Sequence, residues 1–369
     1  MVGLKSLSTV LLCGTAFFSF TGERCQSVVI PYTSVKSGDA EVLYGGYGSD
    51  LAYDAADSTY WLLTDRGPNV DGPTKESKVF LNPGFNPHIG VFKLQGDSLV
   101  RVRTVRLCEA DGTPFTGLPE RIGDGTTGEF AFDMSGHSLD GNRRGIDPEG
   151  LALDTDGTFW VSDEYGPYLM HFSKDGRLLR KLSPLNGGLP GRYAQRCPNR
   201  GLEGLCMRKS TGAIYGMLQS PLQGSKERVL PLFEMDRSGQ VRDFDYPLSE
   251  EAQGVSAICA LGDSSLLVLE RDGKFPKDGK GFKRIFKVDI PACGAGLLKK
   301  RLVVDVLAAC PGYDHDKIEG MAVVEDSVIC ISNDDDFGVT TENQRVVTKL
   351  KPDGTPDHST LTFIPVANL

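Results

Sequence analysis

The chain is predicted to be an all-β protein, a β-propeller of four-stranded antiparallel blades, and three observations predict it. A short carboxylate-bearing phrase recurs as Pro148-Glu149-Gly150-Leu151-Ala152, Leu202-Glu203-Gly204-Leu205-Cys206 and Ile318-Glu319-Gly320-Met321-Ala322. Each copy leads through a turn to an apolar run with a polar end: Trp160-Val161-Ser162-Asp163, Tyr215-Gly216-Met217-Leu218-Gln219 and Ile329-Cys330-Ile331-Ser332-Asn333. Two more strand-like stretches follow each pair. Repetition of this kind marks radial blades with acidic groups collected at one end.

In chain order, the first unit is Ser49-Asp50-Leu51-Ala52 with Trp61-Leu62-Leu63-Thr64-Asp65-Arg66, then Ile89 to Leu94 and Leu99 to Leu107. The second follows its Glu-Gly hairpin with Tyr168 to Phe172 and Arg177 to Leu182, about a Lys174-Asp175-Gly176 turn. The third adds Val229 to Met235 and Gln240 to Tyr246. The fourth opens at Gln253-Gly254-Val255-Ser256, returns along Leu266-Leu267-Val268-Leu269-Glu270-Arg271, and adds Lys283 to Ile290 and Leu298 to Val306. The fifth adds Arg345 to Leu350 and Thr360 to Pro365. Residues 109–146, with Glu129 to Met134 as a strand, supply a sixth blade. The alternative is five blades, with 109–146 as a long loop over the mouth. Val28-Val29-Ile30 would pair in the last blade and close the ring.

Spacing gives the hairpins their geometry. Glu149 to Asp163 and Glu319 to Asn333 are both 14 residues, with midpoints in Asp154-Thr155-Asp156-Gly157 and at Asp326. Glu203 to Gln219, Gly254 to Glu270 and Ser49 to Asp65 are each 16, centred on Thr211, Gly262-Asp263 and Asp57-Ser58. A turn midway between two apolar strands is a β-hairpin. The residue that opens the first strand and the one that closes the second then share an end. Asp65, Glu149, Asp163, Glu203, Gln219, Glu270, Glu319 and Asn333 are therefore expected around one mouth.

The chain has 369 residues, 44 Gly, 21 Pro and a net charge of −9. Gly and Pro suit many turns. The negative charge argues against nucleic-acid or anionic-membrane partners. Residues 1–22 read as a secretory leader, with Lys5 before the apolar Leu11 to Phe18 and small residues Ser19 and Thr21 before cleavage. Residues 26–369 are then a single domain, secreted or periplasmic, expected to be a monomer with no stable membrane association. Removing the leader takes the nine cysteines to eight, so disulfides are plausible in an export context. No Cys-x-x-Cys pair, serine elbow, Walker motif or dinucleotide fingerprint occurs.

Glu149, Glu203 and Glu319 lie beside Gly in strands that should be buried. A buried carboxylate is costly unless paired or metal-bound, and several at one mouth raise one another's pKa values. A hard cation resolves the conflict, and calcium takes oxygen donors of this kind. The other reading is that each Glu bonds a neighbouring blade's backbone or Arg and holds the ring together. In the acidic run Asn333-Asp334-Asp335-Asp336, Asn333 and Asp334 are the preferred inward pair and Asp336 a lesser one. Arg66, Arg200, Arg271 and Lys317 fall near the same mouth, either to receive an anion or to pair with adjacent acids. Of the histidines, His315 alone falls near the mouth.

Taken together, several motifs resemble the phytase-like family, described by the esterase-like activity of phytase. They are Thr64-Asp65-Arg66-Gly67-Pro68, Asp147-Pro148-Glu149-Gly150, Ser162-Asp163-Glu164-Tyr165-Gly166-Pro167, Asn199-Arg200-Gly201-Leu202-Glu203-Gly204, Leu269-Glu270-Arg271-Asp272 and Ser332-Asn333-Asp334-Asp335-Asp336-Phe337-Gly338. The resemblance spans most of residues 40–350. It implies a secreted propeller acting on small-molecule phosphate esters with calcium. Under this reading Asp65, Glu149, Asp163, Glu203, Glu270, Glu319, Asn333 and Asp334 hold metal, and metal-bound water attacks the ester. Glu164 is the expected general base, with Arg66 or Arg271 steadying the substrate. The Pro-Glu-Gly hairpin is also similar to gluconolactonase-type propellers, which implies a lactonase or carboxylic esterase on the same metal. A non-catalytic ligand-binding propeller is the third reading.

Overall fold

The computed structural model describes residues 24–120, 126–139, 144–325, 327–367 and 369. The expected leader and the expected turn residue Asp326 lie outside the described residues. Each repeated phrase begins the inner strand of a four-stranded antiparallel sheet. Blade I is Asp50–Asp54, Thr59–Leu63, His88–Gln95 and Ser98–Arg106. Blade II is Pro148–Leu153, Phe159–Asp163, Tyr168–Phe172 and Leu178–Leu182. Blade III is Leu202–Arg208, Ala213–Leu218, Val229–Met235 and Val241–Pro247, with Gly296–Leu297 added in parallel at its edge. Blade IV is Gly254–Leu261, Ser265–Arg271, Lys283–Asp289 and Lys300–Asp305.

Blade V departs from the expected order. Its strands are Lys317–Glu325, Val328–Asp334, Thr360–Pro365 and, from the other end of the chain, Gln26–Val29. The expected strand from Arg345 instead pairs with Val339–Glu342 in a separate hairpin. Burial explains the exchange. Leu361, Phe363 and Ile364 are all buried in the core, whereas no residue of Arg345–Thr348 is fully buried. The N-terminal strand closes the ring as expected, with Ser27 opposite Thr362 and Val28 opposite Leu361. A Cys25–Cys310 disulfide ties this strand to the segment between blades IV and V. It spans 285 residues of sequence, so it stabilises closure by roughly 5–6 kcal/mol in the chain-entropy picture.

Side-chain alternation fixes how the blades pack. In a strand, successive side chains face opposite ways. In blade IV, Leu266 and Val268 pack toward Tyr215, Leu232 and Phe244 of blade III. Leu267 and Leu269 pack toward Met321, Ile329 and Ile331 of blade V. Phe159 and Val161 of blade II meet Leu63 and Val91 of blade I, while Trp160 and Leu169 meet Leu205 and Phe233 of blade III. Because both faces are covered, the strands read as continuous apolar runs.

Blade V packs directly on blade I through Cys330, Leu361 and Phe363 against Leu51, Leu62 and Phe92. That contact leaves no gap for a sixth blade, so of the two expected counts the five-bladed one is seen. Within 109–146, the strand among the described residues is Phe130–Asp133. It runs parallel to Ser77–Phe80 in a small accessory sheet with Asn69–Asp71. Among the described residues no helix is long and apolar enough to cross a membrane.

Candidate functional site

The Glu-Gly phrase works through a β-bulge. Pro148 pairs with Asp163 and Gly150 with Ser162, so Glu149 is the extra residue on its strand. Glu203 and Glu319 occupy the same extra position, between Leu202 and Gly204 and between Ile318 and Gly320. A bulge bends the strand and re-aims a side chain. All three glutamates line one mouth. The glycine after each lets neighbouring inner strands approach. A Cβ at Gly150 would lie 2.6 Å from Leu205 Cβ and 2.8 Å from the Glu203 carbonyl oxygen. At Gly320 it would lie 2.6 Å from the Leu51 nitrogen. Blade I has no bulge here, and Asp50 pairs with Leu63. The buried Asp50 carboxylate accepts from Leu51 N at 2.7 Å and from Leu151 N, on blade II, at 2.6 Å.

The mouth encloses about 390 Å³. At one side Asp147, Glu149 and Glu164 each place a carboxylate oxygen within 4.8 Å of the other two. All three are buried. Burial pushes Glu149 well above the usual carboxylate range, and the charges of Asp147, Glu203, Glu319 and Glu164 push it further. Glu164 is raised well above that range by burial and by Glu203 and Asp147, with Arg66 and Arg200 opposing. Asp147 is raised by burial against the pull of Arg66. Glu203 is pushed up to about 8 by burial and by Glu319. Its Oε2 is buried without a hydrogen-bond partner.

Asp163 is the strut beneath this trio. Its Oδ2 accepts from Asp147 N at 2.8 Å and its Oδ1 from Gly166 N at 2.8 Å. Glu164 N donates to the Asp147 carbonyl at 2.8 Å. Both Asp163 oxygens are thus engaged with backbone, and the side chain does not line the mouth. Glu270 and Asn333 are also turned into blade contacts. Glu270 Oε1 accepts from Tyr246 Oη at 2.6 Å and from Lys300 Nζ, and its Oε2 from Ser249 N at 3.2 Å. Asn333 Oδ1 accepts from Thr360 N at 2.8 Å, and its Nδ2 donates to the His358 carbonyl at 3.2 Å. Asp65 and Asp334 line the mouth. Asp65 accepts from Gly67 N at 2.7 Å. Asp334 is 3.1 Å from Lys317 Nζ, which also holds Asp336. His315 is buried against Asp357, 2.8 Å from its Oδ1, away from the mouth.

The cations divide into paired and unpaired. Arg66 Nη1 donates to Glu129 Oε2 at 3.0 Å, and its Nε is 3.5 Å from Asp147 Oδ2. Arg271 donates to Glu319 and, at 3.2 Å, to the Ile318 carbonyl. Arg200 donates to the Gln219 side-chain oxygen instead. Asp147 and Glu129 are the site residues that repeat spacing missed. Asp147 precedes the repeated phrase, and Glu129 belongs to the segment between blades I and II. The signal for Asp147 was its place in an Asp-Pro-Glu-Gly motif that puts acids two residues apart.

The donor set suits a hard cation. Three carboxylates converge, and among the described residues neither histidine nor cysteine lines the mouth. Zinc and iron favour nitrogen and sulfur, whereas calcium takes six to eight oxygens. Raised pKa values and the unpartnered Glu203 oxygen mark a concentration of carboxylates that a bound cation would neutralise.

These features define a five-bladed propeller with an acid-lined mouth. The chain belongs to the Phytase-like family, described as "Esterase-like activity of phytase", whose profile matches residues 43–337. It is 29% identical over 292 residues to a protein of Arthroderma benhamiae described as an uncharacterized secreted protein. That match covers 62% of this chain and 55% of the relative, so the chain spans about half the length of the curated relative it matches. Among solved structures, it is similar to a luciferin-regenerating enzyme at 11% identity and a TM-score of 0.40, covering 92% of this chain and 98% of that one. A virginiamycin B lyase from Staphylococcus aureus matches at 10% identity and a TM-score of 0.37, covering 93% and 99%. Such scores are too low to carry a site from one protein to another.

Proposed function

We propose that this chain is an exported, calcium-assisted ester hydrolase whose substrates are small phosphate esters bound in the propeller mouth. The observation that carries the reading is the buried trio Asp147, Glu149 and Glu164, with carboxylate oxygens within 4.8 Å of one another beside an open polar cavity. Buried like charges this close are unfavourable alone and become favourable around a divalent cation. Export is supported by the Cys25–Cys310 disulfide and by the secreted relative.

The trio would hold the calcium. What a bound calcium supplies is positive charge, which offsets charge on the ester oxygens and acidifies water. Asp163 holds the trio's backbone in place. Glu203 lines the mouth beside Glu149 and, in its protonated form, would give its proton to the leaving oxygen. Glu164, expected from the sequence as the general base, is committed to the trio in this arrangement. Arg66 secures Asp147 and Glu129, and Arg271 secures Glu319.

The test uses purified mature chain stripped with chelator and assayed on phytate, an aryl phosphate and a lactone, with and without calcium. Calcium-dependent phosphate release that falls at least a hundredfold in Glu203→Gln supports the proposal. Calcium-dependent turnover of the lactone alone replaces it with the lactonase reading. Absence of metal-dependent turnover on any substrate refutes it in favour of a binding propeller.

A further inference from the structure

We infer that Arg200 is the specificity-determining residue of the mouth. It receives an oxyanion of the substrate and selects phosphomonoesters over uncharged esters. The inference rests on the reading of the mouth as a hydrolytic site.

Among the described residues five cations line the mouth: Arg66, Lys78, Arg200, Arg271 and Lys317. Four are paired with acids. Arg66 holds Glu129 and Asp147, Lys78 holds Asp71, Arg271 holds Glu319, and Lys317 holds Asp334 and Asp336. Among the described residues Arg200 has no carboxylate partner within ion-pair distance. A guanidinium already neutralised by a carboxylate has little charge left for a ligand. Arg200 keeps its full charge and most of its five donors.

It is also held in place. Its Nη1 donates to Gln219 Oε1. The amide oxygen of Gln219 therefore orients the guanidinium, and both residues line the mouth with Glu203. Backbone bonds reinforce this: Gly201 N donates to the Glu164 carbonyl at 2.9 Å and Gln219 N to the Gly201 carbonyl at 3.3 Å. Arg200 thus stands beside the trio, and its charge lowers the pKa of both Glu164 and Glu203. Were the trio to hold a cation, an oxyanion reaching Arg200 would meet positive charge from both. A planar guanidinium suits phosphate oxygens, which it can engage with two parallel N–H groups.

The rest of the lining argues the same way. Val70 and Val339 are its only aliphatic side chains among the described residues. An uncharged ester with an apolar acyl or alkyl group gains almost nothing by entering, whereas a phosphomonoester exchanges water for charge-assisted bonds.

Two measurements test this on the full mature chain, using wild type, Arg200→Gln and Arg200→Lys, with melting temperatures confirming folding. The first is calorimetric binding of inorganic phosphate to the calcium-loaded protein. Arg200→Gln should weaken it about ten- to a hundredfold, as expected for one charge-assisted contact, and Arg200→Lys should recover part of the loss. The second is the ratio of kcat/KM on an aryl phosphate to that on an aryl acetate, which should fall at least tenfold in Arg200→Gln. Phosphate binding within twofold of wild type, or an unchanged ratio, overturns the inference. If wild type cleaves neither ester, the hydrolytic reading fails, and phosphate binding alone still decides the role of Arg200.

Discussion

Glu149→Gln probes the trio without requiring turnover. Glu149 has carboxylate oxygens of Asp147 and Glu164 within 4.8 Å, and two full charges at that separation repel by roughly 3 kcal/mol at an effective dielectric of about 20. Without a cation, this repulsion and burial keep Glu149 protonated well above its usual range. Glutamine has nearly the same shape but carries no charge. In chelator at pH 8 the variant should therefore melt at or above the wild-type temperature. Calcium reverses the order. At a hundredfold excess over its Kd, a ligand specific for the folded state stabilises by about 2.7 kcal/mol, or roughly 4 °C for a chain of this size. Wild type should show that shift, and Glu149→Gln should show less than about 1 °C. Differential scanning fluorimetry with calcium and with chelator reads both numbers. A variant that keeps the wild-type calcium shift would refute the trio as the cation site, whatever the assays of turnover show.

Two further predictions concern the frame. Asp335 is buried, accepts from Phe337 N and Ser359 N at 3.0 Å each, and is pushed by burial from 3.8 to about 7. A carboxyl raised in the folded state gives its full stabilisation below its unfolded value near 4 and loses it as pH rises through about 7. Urea unfolding of wild type should thus lose up to about 1.4 kcal/mol per pH unit from this group across that window, and Asp335→Asn should have a shallower slope. Equal slopes in the two proteins would sink the assignment. Gly150→Ala places a methyl 2.6 Å from Leu205 Cβ, between two inner strands that cannot part without loosening the ring. Its unfolding free energy should drop by about 2–4 kcal/mol, and a loss below about 0.5 would show that the blades have slack.

Much of the fold was legible because a hairpin writes its register into sequence. The 14- and 16-residue spacings placed Glu149, Glu203 and Glu319 at one mouth, and that is where they lie. The same logic placed Asp163, Glu270 and Asn333 at the correct strand ends. Spacing gives a residue's position along the blade. It does not say whether its oxygens are already engaged by Asp147 N, by Tyr246 and Lys300, or by Thr360. Arg345 to Leu350 and Thr360 to Pro365 were both expected in the last blade because local pattern made each a strand. Thr360 to Pro365 buries its side chains there, and Gln26–Val29 takes the remaining place.

The sequence by itself determined an all-β repeat, its hairpins, and the collection of acids at one end. These follow from local rules: side chains alternate along a strand, and a turn reverses it. Tertiary structure alone decided the number of blades, because ring closure depends on how Phe363 and Leu361 meet Leu62 and Phe92 across roughly 270 to 300 residues of chain. It alone assembled Asp147 with Glu149 and Glu164, and it alone left Arg200 without an acid partner among the described residues. Charge pairing is a matter of distances of a few ångströms between segments far apart in sequence, and those distances exist only once the ring has closed.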